Sequence, residues 1–137
     1  MESNNSILGT GGIHHIAMNV HDFDASVRFY TEYLGFKAAL TWGEGDGRAV
    51  LLDTGDGSYL ELFAGGKKEK KPEGALLHAA MRCNRVDEVI QSVRAAGMRI
   101  TVDPVDVTLA SNPPKPLRIA FFEGPDGEII ELFHDMG

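Results

Sequence analysis

Two segments of this 137-residue chain repeat one another: residues 48–63 read RAVLLDTGDGSYLELF, and residues 118–133 read RIAFFEGPDGEIIELF. Six of the sixteen aligned residues are identical without a gap. The segments that precede them, HIAMNV at 15–20 and HAAMRC at 78–83, match more weakly, and a helical pattern ending at Gly35 or Gly97 follows each. A repeat of this length sets the architecture, so we predict that the chain is an internal duplication.

Each copy has the pattern of strand, helix, strand, strand, strand. In the first copy we predict strands near 13–20, 37–42, 48–53 and 59–63 and a helix over 24–34; in the second, strands near 77–83, 99–107, 118–123 and 128–134 and a helix over 86–96. Asp56-Gly57 and Asp126-Gly127 supply hairpin turns, because this dipeptide tolerates positive φ. Residues 108–116 contain three prolines and are predicted to form a loop. The fold class is therefore α+β, with two tandem βαβββ modules.

The domain organisation follows from the repeat. We expect a flexible lead over 1–12 and a single domain over 13–137, in which a linker over 65–76 joins module 1 (13–64) to module 2 (77–135). The run KKEKK at 67–71 is interpreted as part of this solvated linker, in preference to an anion-binding patch, because a Glu interrupts it and Gly and Pro flank it.

Composition excludes several classes of protein. The 13 Lys and Arg against 20 Asp and Glu leave a net charge of −7, which disfavours nucleic acid as a partner. No apolar run approaches the ~20 residues that span a bilayer, so we expect no membrane segment. MESNNSILGTGG lacks the basic start and apolar stretch of a signal peptide, and the single cysteine, Cys83, suits a reducing compartment. A cytoplasmic location is therefore predicted.

Four side chains recur at equivalent places in the two copies. Glu61 and Glu131 each lie amid apolar residues of the fourth strand, where an unpartnered carboxylate costs several kcal/mol. His15 and His78 lie at equivalent places in the first strands, so a pseudo-twofold arrangement would bring together two imidazoles and two carboxylates, a ligand set for a divalent transition metal. Two alternatives remain open: ordinary strand residues with no shared role, or two Glu–Arg ion pairs with Arg48 and Arg118.

The opening GIHHIAMNVHDFDASVRFYTEYLGF, the segments YLELF and ALLHAAM, and the ending GPDGEIIELF resemble the vicinal oxygen chelate superfamily. That resemblance implies a cup-shaped mixed β-sheet with flanking helices around one divalent metal, with Ni or Zn favoured and Co, Mn or Fe as alternatives. It implies the ligands His15, Glu61, His78 and Glu131, and a homodimer in which the site forms within one chain or between two. The His, Glu, His, Glu set is most similar to bacterial glyoxalase I, although Asn19 and Gly65 replace residues that hold glutathione there.

The function implied by the resemblance is that of a lactoylglutathione lyase-like lyase or isomerase. The substrate would be a small carbonyl compound, either free or conjugated to glutathione or another thiol, and a proton would move α to its carbonyl through a metal-bound enediolate. Glu131 is the expected catalytic base, and Glu61 is a ligand and a second candidate base. The alternatives are an epimerase, a dioxygenase, or a non-catalytic drug- or metabolite-binding protein of the bleomycin-resistance kind. Trp42, Tyr59, Phe63 and Phe133 are expected either to line the cup or to pack in the core.

Overall fold

The computed structural model describes residues 5–9, 12–69 and 74–137. Residues 1–4 and 10–11 of the predicted lead, and residues 70–73 of the predicted linker, lie outside the described part of the chain. The boundaries proposed for the lead and linker therefore stay predictions. No helix in the described part is long and apolar enough to span a membrane.

Module 1 is a four-stranded mixed sheet with one helical segment. Its elements are β1 (His15–Asn19), α1 (Phe23–Arg28) continued by a π-helical turn (Phe29–Tyr33), β2 (Lys37–Trp42), a 3₁₀ turn (Gly45–Gly47), β3 (Ala49–Asp53) and β4 (Tyr59–Phe63). The Asp22 side chain caps α1 by accepting a hydrogen bond from the Ala25 N–H, and Gly35 follows the helical segment at φ +74°. The strand order is β1-β4-β3-β2, in which only β1 and β4 are parallel.

Module 2 repeats this topology. Its elements are β5 (Ala79–Arg82), α2 (Val86–Ala95), β6 (Ile100–Leu109), β7 (Lys115–Glu123) and β8 (Ile129–Asp135), in the sheet order β5-β8-β7-β6. β5 and β8 are parallel and the other pairs antiparallel, as in module 1. The predicted α+β fold of two tandem βαβββ modules is thus confirmed.

The predicted loop over residues 108–116 is wrong at both ends. β6 and β7 stay paired as far as Leu109 and Lys115, with Thr108 opposite Pro116. A proline lacks the N–H that a ladder needs, but it is tolerated near the start of a strand, where Pro116 lies. Pro104 lies where the register shifts between Val102 and Val105, another position that a proline tolerates.

One hydrophobic core is shared by the helices and by one face of each sheet. Its members include Phe29, Val50, Leu52 and Leu62 from module 1 and Ile90, Ala120, Phe122 and Leu132 from module 2. The rings of Phe29 and Phe122 meet across the modules at 6.1 Å in an edge-to-face arrangement. Each large side chain buried here contributes about 1.5–3 kcal/mol to stability. The opposite face of each sheet does not contribute to this core and holds the four candidate residues.

A buried polar contact, here called the clasp, joins module 1 to the β7–β8 turn of module 2. His21 donates its backbone N–H to Asp126 Oδ1 and places its ring Nδ1 2.9 Å from the same oxygen. The Tyr30 hydroxyl donates to Glu128 Oε2 at 2.5 Å, while Glu128 Oε1 accepts the Asp126 N–H. Burial raises the pKa of the Glu128 carboxyl, although its hydrogen bond with Tyr30 opposes that shift.

The clasp predicts how stability depends on pH. Because the pKa of Glu128 is raised in the folded state, the folded protein binds this proton more tightly than the unfolded chain does. The resulting stabilisation is complete below the ordinary pKa of 4.5 and is lost as pH rises through the raised pKa. Glu128→Gln removes this titration, so relative to wild type the variant should gain free energy of unfolding as pH rises above about 4.5. Urea unfolding at a series of pH values measures the difference.

Glu32→Gln is the matched control, because Glu32 is an exposed residue of the π-helical turn and takes no part in the clasp. This variant should show the same dependence of stability on pH as wild type. Parallel stability–pH curves for Glu128→Gln and wild type would show that the carboxyl is not linked to folding.

Candidate functional site

The first candidate pair, here called half-site 1, consists of His15 and Glu61. Ala17 of β1 lies opposite Glu61 of β4, so His15, two residues earlier on β1, faces the same side of the sheet as Glu61. His15 Nε2 is 3.5 Å from Glu61 Oε1. The Glu61 side chain is only 13% exposed and that of His15 is 43% exposed, so the carboxylate lies at the base of the pair and the imidazole at its rim.

The second pair, half-site 2, consists of His78 and Glu131 and repeats the same contact. Ala80 of β5 lies opposite Glu131 of β8, and His78 immediately precedes β5. His78 Nε2 is 3.1 Å from Glu131 Oε1, and the two side chains are 38% and 11% exposed. The duplication therefore preserves an imidazole–carboxylate pair in addition to the backbone topology.

The alternative of two Glu–Arg ion pairs is wrong. Arg48 Nη1 pairs with Asp24 at 3.1 Å, and Arg118 pairs with Asp87 at 2.7 Å and with Asp106 at 2.9 Å. Asp24 and Asp87 occupy the first turns of α1 and α2, so Arg48, immediately before β3, and Arg118, within β7, each pair with the helix of their own module. This leaves each strand glutamate facing a histidine.

The two half-sites do not meet within one chain. Among residues 5–9, 12–69 and 74–137, no three His, Cys, Asp or Glu side chains come together in a group that could hold a metal ion. The physical reason is that the half-sites lie in two separate sheets whose other faces pack on the shared core. The convergence of all four side chains therefore stays a prediction that needs more than this single chain.

His14, which immediately precedes His15 in the chain, contacts half-site 1. Its ring Nδ1 lies 2.9 Å from His15 Nδ1, and its ring is 5.1 Å from that of Tyr59. When His15 offers the lone pair of Nε2 to an ion, its Nδ1 carries the proton and donates to His14, and this outer contact orients the ligand ring. The HH doublet was the sequence signal for this contact.

Aromatic side chains surround both half-sites. The register places Trp42 and Phe63 on the face of Glu61, with their rings 6.3 Å apart. Phe133 lies on the face of Glu131. The ring of Phe121, a residue that the sequence pattern did not single out, is perpendicular to the His78 ring, with the ring centres 5.4 Å apart. Trp42 is 43% exposed in the single chain, so this apolar surface is open. The aromatic residues thus lie on the sheet faces that carry the half-sites, which agrees with the expectation that they line the cup and not with the expectation that they pack in the core.

Each pair has the spacing that a shared metal ion requires. Two donor atoms that each lie about 2.1 Å from one ion are separated by about 3.0 Å at an octahedral angle and about 3.4 Å at a tetrahedral one. The observed separations of 3.1 and 3.5 Å match these values. Imidazole nitrogen and carboxylate oxygen are also ligands that divalent transition metals accept. Each pair by itself therefore fits two neighbouring ligands of a metal ion.

Comparison with known proteins gives the class to which this fold and site belong. The profile of the Glyoxalase/Bleomycin resistance protein/Dioxygenase superfamily matches residues 12–132. The chain is therefore a member of that superfamily, which includes lyases, epimerases and dioxygenases.

Two curated relatives and one solved structure illustrate the similarity. A probable lactoylglutathione lyase of Vibrio parahaemolyticus is 28% identical over 134 residues, covering 93% of this chain and 94% of its own. A 2-epi-5-epi-valiolone epimerase of an Actinomyces species is 29% identical over 151 residues, covering 93% and 81%. The trypanothione-dependent glyoxalase I of Leishmania major superposes with a TM-score of 0.68 at 28% identity, covering 90% and 86%.

Proposed function

We propose that this protein is a divalent-metal-dependent lyase or isomerase of the glyoxalase I type, acting on a small carbonyl compound or its thiol conjugate. The observation that carries the proposal is the recurrence of one contact: an imidazole nitrogen within 3.5 Å of a half-buried or buried carboxylate, at equivalent positions of both modules. Similarity to a probable lactoylglutathione lyase supports this reaction class, and similarity to an epimerase supports proton transfer next to a carbonyl as the shared chemistry.

The metal site is proposed to form between two chains. Half-site 1 of one chain would face half-site 2 of a second chain, which supplies the four ligands that neither sheet holds alone. The same contact would cover the open apolar face around Trp42 and Phe63, whose exposure in the single chain is unfavourable. A homodimer formed in this way is isologous and would contain two equivalent sites.

The metal would supply Lewis-acid polarisation of the substrate carbonyl, which acidifies the neighbouring C–H. Glu131 is the proposed base: its carboxylate would take the proton from the carbon that bears the hydroxyl and return it to the adjacent carbonyl carbon, while the hydroxyl proton passes to the former carbonyl oxygen, so that the product is an isomer of the substrate. Glu61 is proposed as a ligand and second base. Trp42, Phe63, Phe121 and Phe133 would exclude water from the reacting atoms.

Elemental analysis of the purified protein tests the proposal. We expect about one Ni or Zn per chain, with Co, Mn or Fe as alternatives, and loss of most of that metal in His15→Ala and in Glu131→Gln. His134→Ala, a histidine of β8 outside both pairs, is the matched control and should keep its metal. A protein that refuses added metal would instead favour the non-catalytic binding module, and selectivity for iron would favour a dioxygenase. The cytoplasmic location stays a prediction.

A further inference from the structure

An open cleft of about 730 Å³ lies where β5 and β8 end, beside half-site 2. Its walls include two arginines, Arg82 and Arg85, and the apolar side chains of Val89 and Phe133. Arg82 lies opposite Phe133 in the sheet, so both share the face of Glu131, which is two residues earlier on β8. The cleft therefore begins about 7 Å along the strand from the proposed reacting centre.

The two modules differ at this place although they are otherwise repeats. In module 1 the chain crosses the end of β1: the Gly66 N–H donates to the Val20 carbonyl at 2.9 Å, and a Cβ at Gly66 would come within 2.9 Å of Val20 backbone atoms. In module 2 the residue equivalent to Val20 is Cys83, which lines the cleft, and β8 instead continues beside β7 to Asp135. The cleft thus arises from a local departure from the repeat.

The charges at the cleft also differ from those of module 1. Arg82 and Arg85 occupy the positions that Asn19 and Asp22 hold in the first copy, so an amide and a carboxylate are replaced by two guanidinium groups. The Arg82 side chain is 93% exposed, and its ion pair with Asp56 is long, at 3.6 Å. Arg85 pairs with the exposed Glu88. Both guanidinium groups can therefore exchange these solvated partners at little cost.

The remaining charged groups at the cleft do not cancel these cations. The Asp135 carboxylate lies 3.1 Å from Lys115 Nζ and accepts the Gly137 N–H, so its charge is already paired. His134 adds an imidazole to the same wall. Arg82 and Arg85 therefore lie together beside the apolar side chains of Val89 and Phe133, in a chain whose net charge is −7.

We propose that the cleft binds a carboxylate carried by the tail of the substrate, through Arg82 and Arg85, while the apolar part of the tail packs on Val89 and Phe133. Guanidinium groups bind carboxylates in a planar, two-pronged geometry, and this contact orients the tail as well as attracting it. The inference rests on the proposed function in one respect, since the other end of the substrate would reach Glu131. It narrows the substrate class to acids.

The first experiment measures carboxylate binding alone, with a compound that the protein cannot turn over. Titration of the wild-type protein with 3-(methylthio)propionate should shift the amide NMR signals of Cys83 and Asn84 saturably, and the uncharged 3-(methylthio)propan-1-ol should not. In Arg82→Gln and Arg85→Gln the affinity for the carboxylate should fall about tenfold, as expected for loss of one charge-assisted hydrogen bond. Arg94→Gln, an exposed arginine of α2 paired with Asp103, is the matched control and should bind like wild type. No saturable shift, or an equal shift in the variants, overturns the carboxylate site.

Turnover distinguishes this proposal from the proposed function. The hemithioacetals of methylglyoxal with 3-mercaptopropionate and with 2-mercaptoethanol differ in the charge of the tail. Arg82→Gln should raise KM about tenfold for the first while leaving kcat, and KM for the second, unchanged. If the protein binds the carboxylate but turns over neither compound and holds no metal, the proposed function is refuted and the carboxylate site stands. If Arg82→Gln changes KM equally for both compounds, the carboxylate site is refuted and the proposed function stands.

Discussion

A heterodimer of two inactive variants is expected to regain one complete metal site. One chain carries His15→Ala and Glu61→Gln, which removes half-site 1, and the other carries His78→Ala and Glu131→Gln, which removes half-site 2. If the site forms between chains, one interface site of the heterodimer lacks all four ligands and the other retains all four. Each homodimer of the variants should bind almost no metal, and the heterodimer, purified through two different affinity tags, should bind about one ion.

The control for this experiment is a heterodimer of two wild-type chains with the same tags, which should bind about two ions. A site formed within one chain predicts the opposite outcome, because neither chain of the mixed dimer would then hold four ligands. The absence of metal in the heterodimer, with dimers intact by sedimentation, would place the site inside the single chain and require a different packing of the modules from the one described.

Glu131→Gln is expected to lower turnover by about 10²- to 10⁴-fold per bound metal ion, the range that general acid–base groups contribute. The carboxylates of Glu131 and Glu61 are similarly enclosed, at 11% and 13% side-chain exposure, so the comparison of the two variants assigns the base. The measurement is the rate at which the C–H proton of the methylglyoxal–2-mercaptoethanol hemithioacetal is lost in D₂O, with bound metal quantified in the same sample.

Glu61→Gln is the matched variant, since it makes the same substitution at the equivalent strand position. We expect its loss per bound metal ion to be smaller, because Glu61 is proposed chiefly as a ligand and the proposed base, Glu131, is unchanged in this variant. A larger loss in Glu61→Gln than in Glu131→Gln would assign the base to Glu61. Equal activity of both variants and wild type, at equal metal content, would remove the carboxylates from the proton transfer.

The ion pairs show where prediction from sequence stopped. The repeat identified Arg48 and Arg118 as equivalent, and also Glu61 and Glu131, but it left open whether these residues pair with one another. The structure assigns the arginines to Asp24 and Asp87 at the helix starts. That choice depends on how the helix packs over the third strand, a long-range contact that strand periodicity does not encode.

The clasp is a second feature that spacing could not reveal. The sequence places Tyr30 in the predicted helix over 24–34 and Glu128 at the start of the predicted strand near 128–134, and the two residues are 98 positions apart in the chain. Their hydrogen bond arises only because the helical segment of module 1 packs on module 2, where Phe29 meets Phe122. Burial then raises the pKa of both Tyr30 and Glu128, an effect of the assembled core and of neither residue alone.

Sequence alone establishes the duplication, the order of strands and helices in each module, and the recurrence of one histidine and one glutamate at equivalent positions of both copies, His15 with His78 and Glu61 with Glu131. These features follow from local periodicity and from repetition, which a single chain records directly. The three-dimensional structure was needed to show that the two sheets share one core and that the two imidazole–carboxylate pairs lie on separate sheets. The reason is that the packing of the sheets depends on contacts between distant residues, whose combined burial outweighs any local preference.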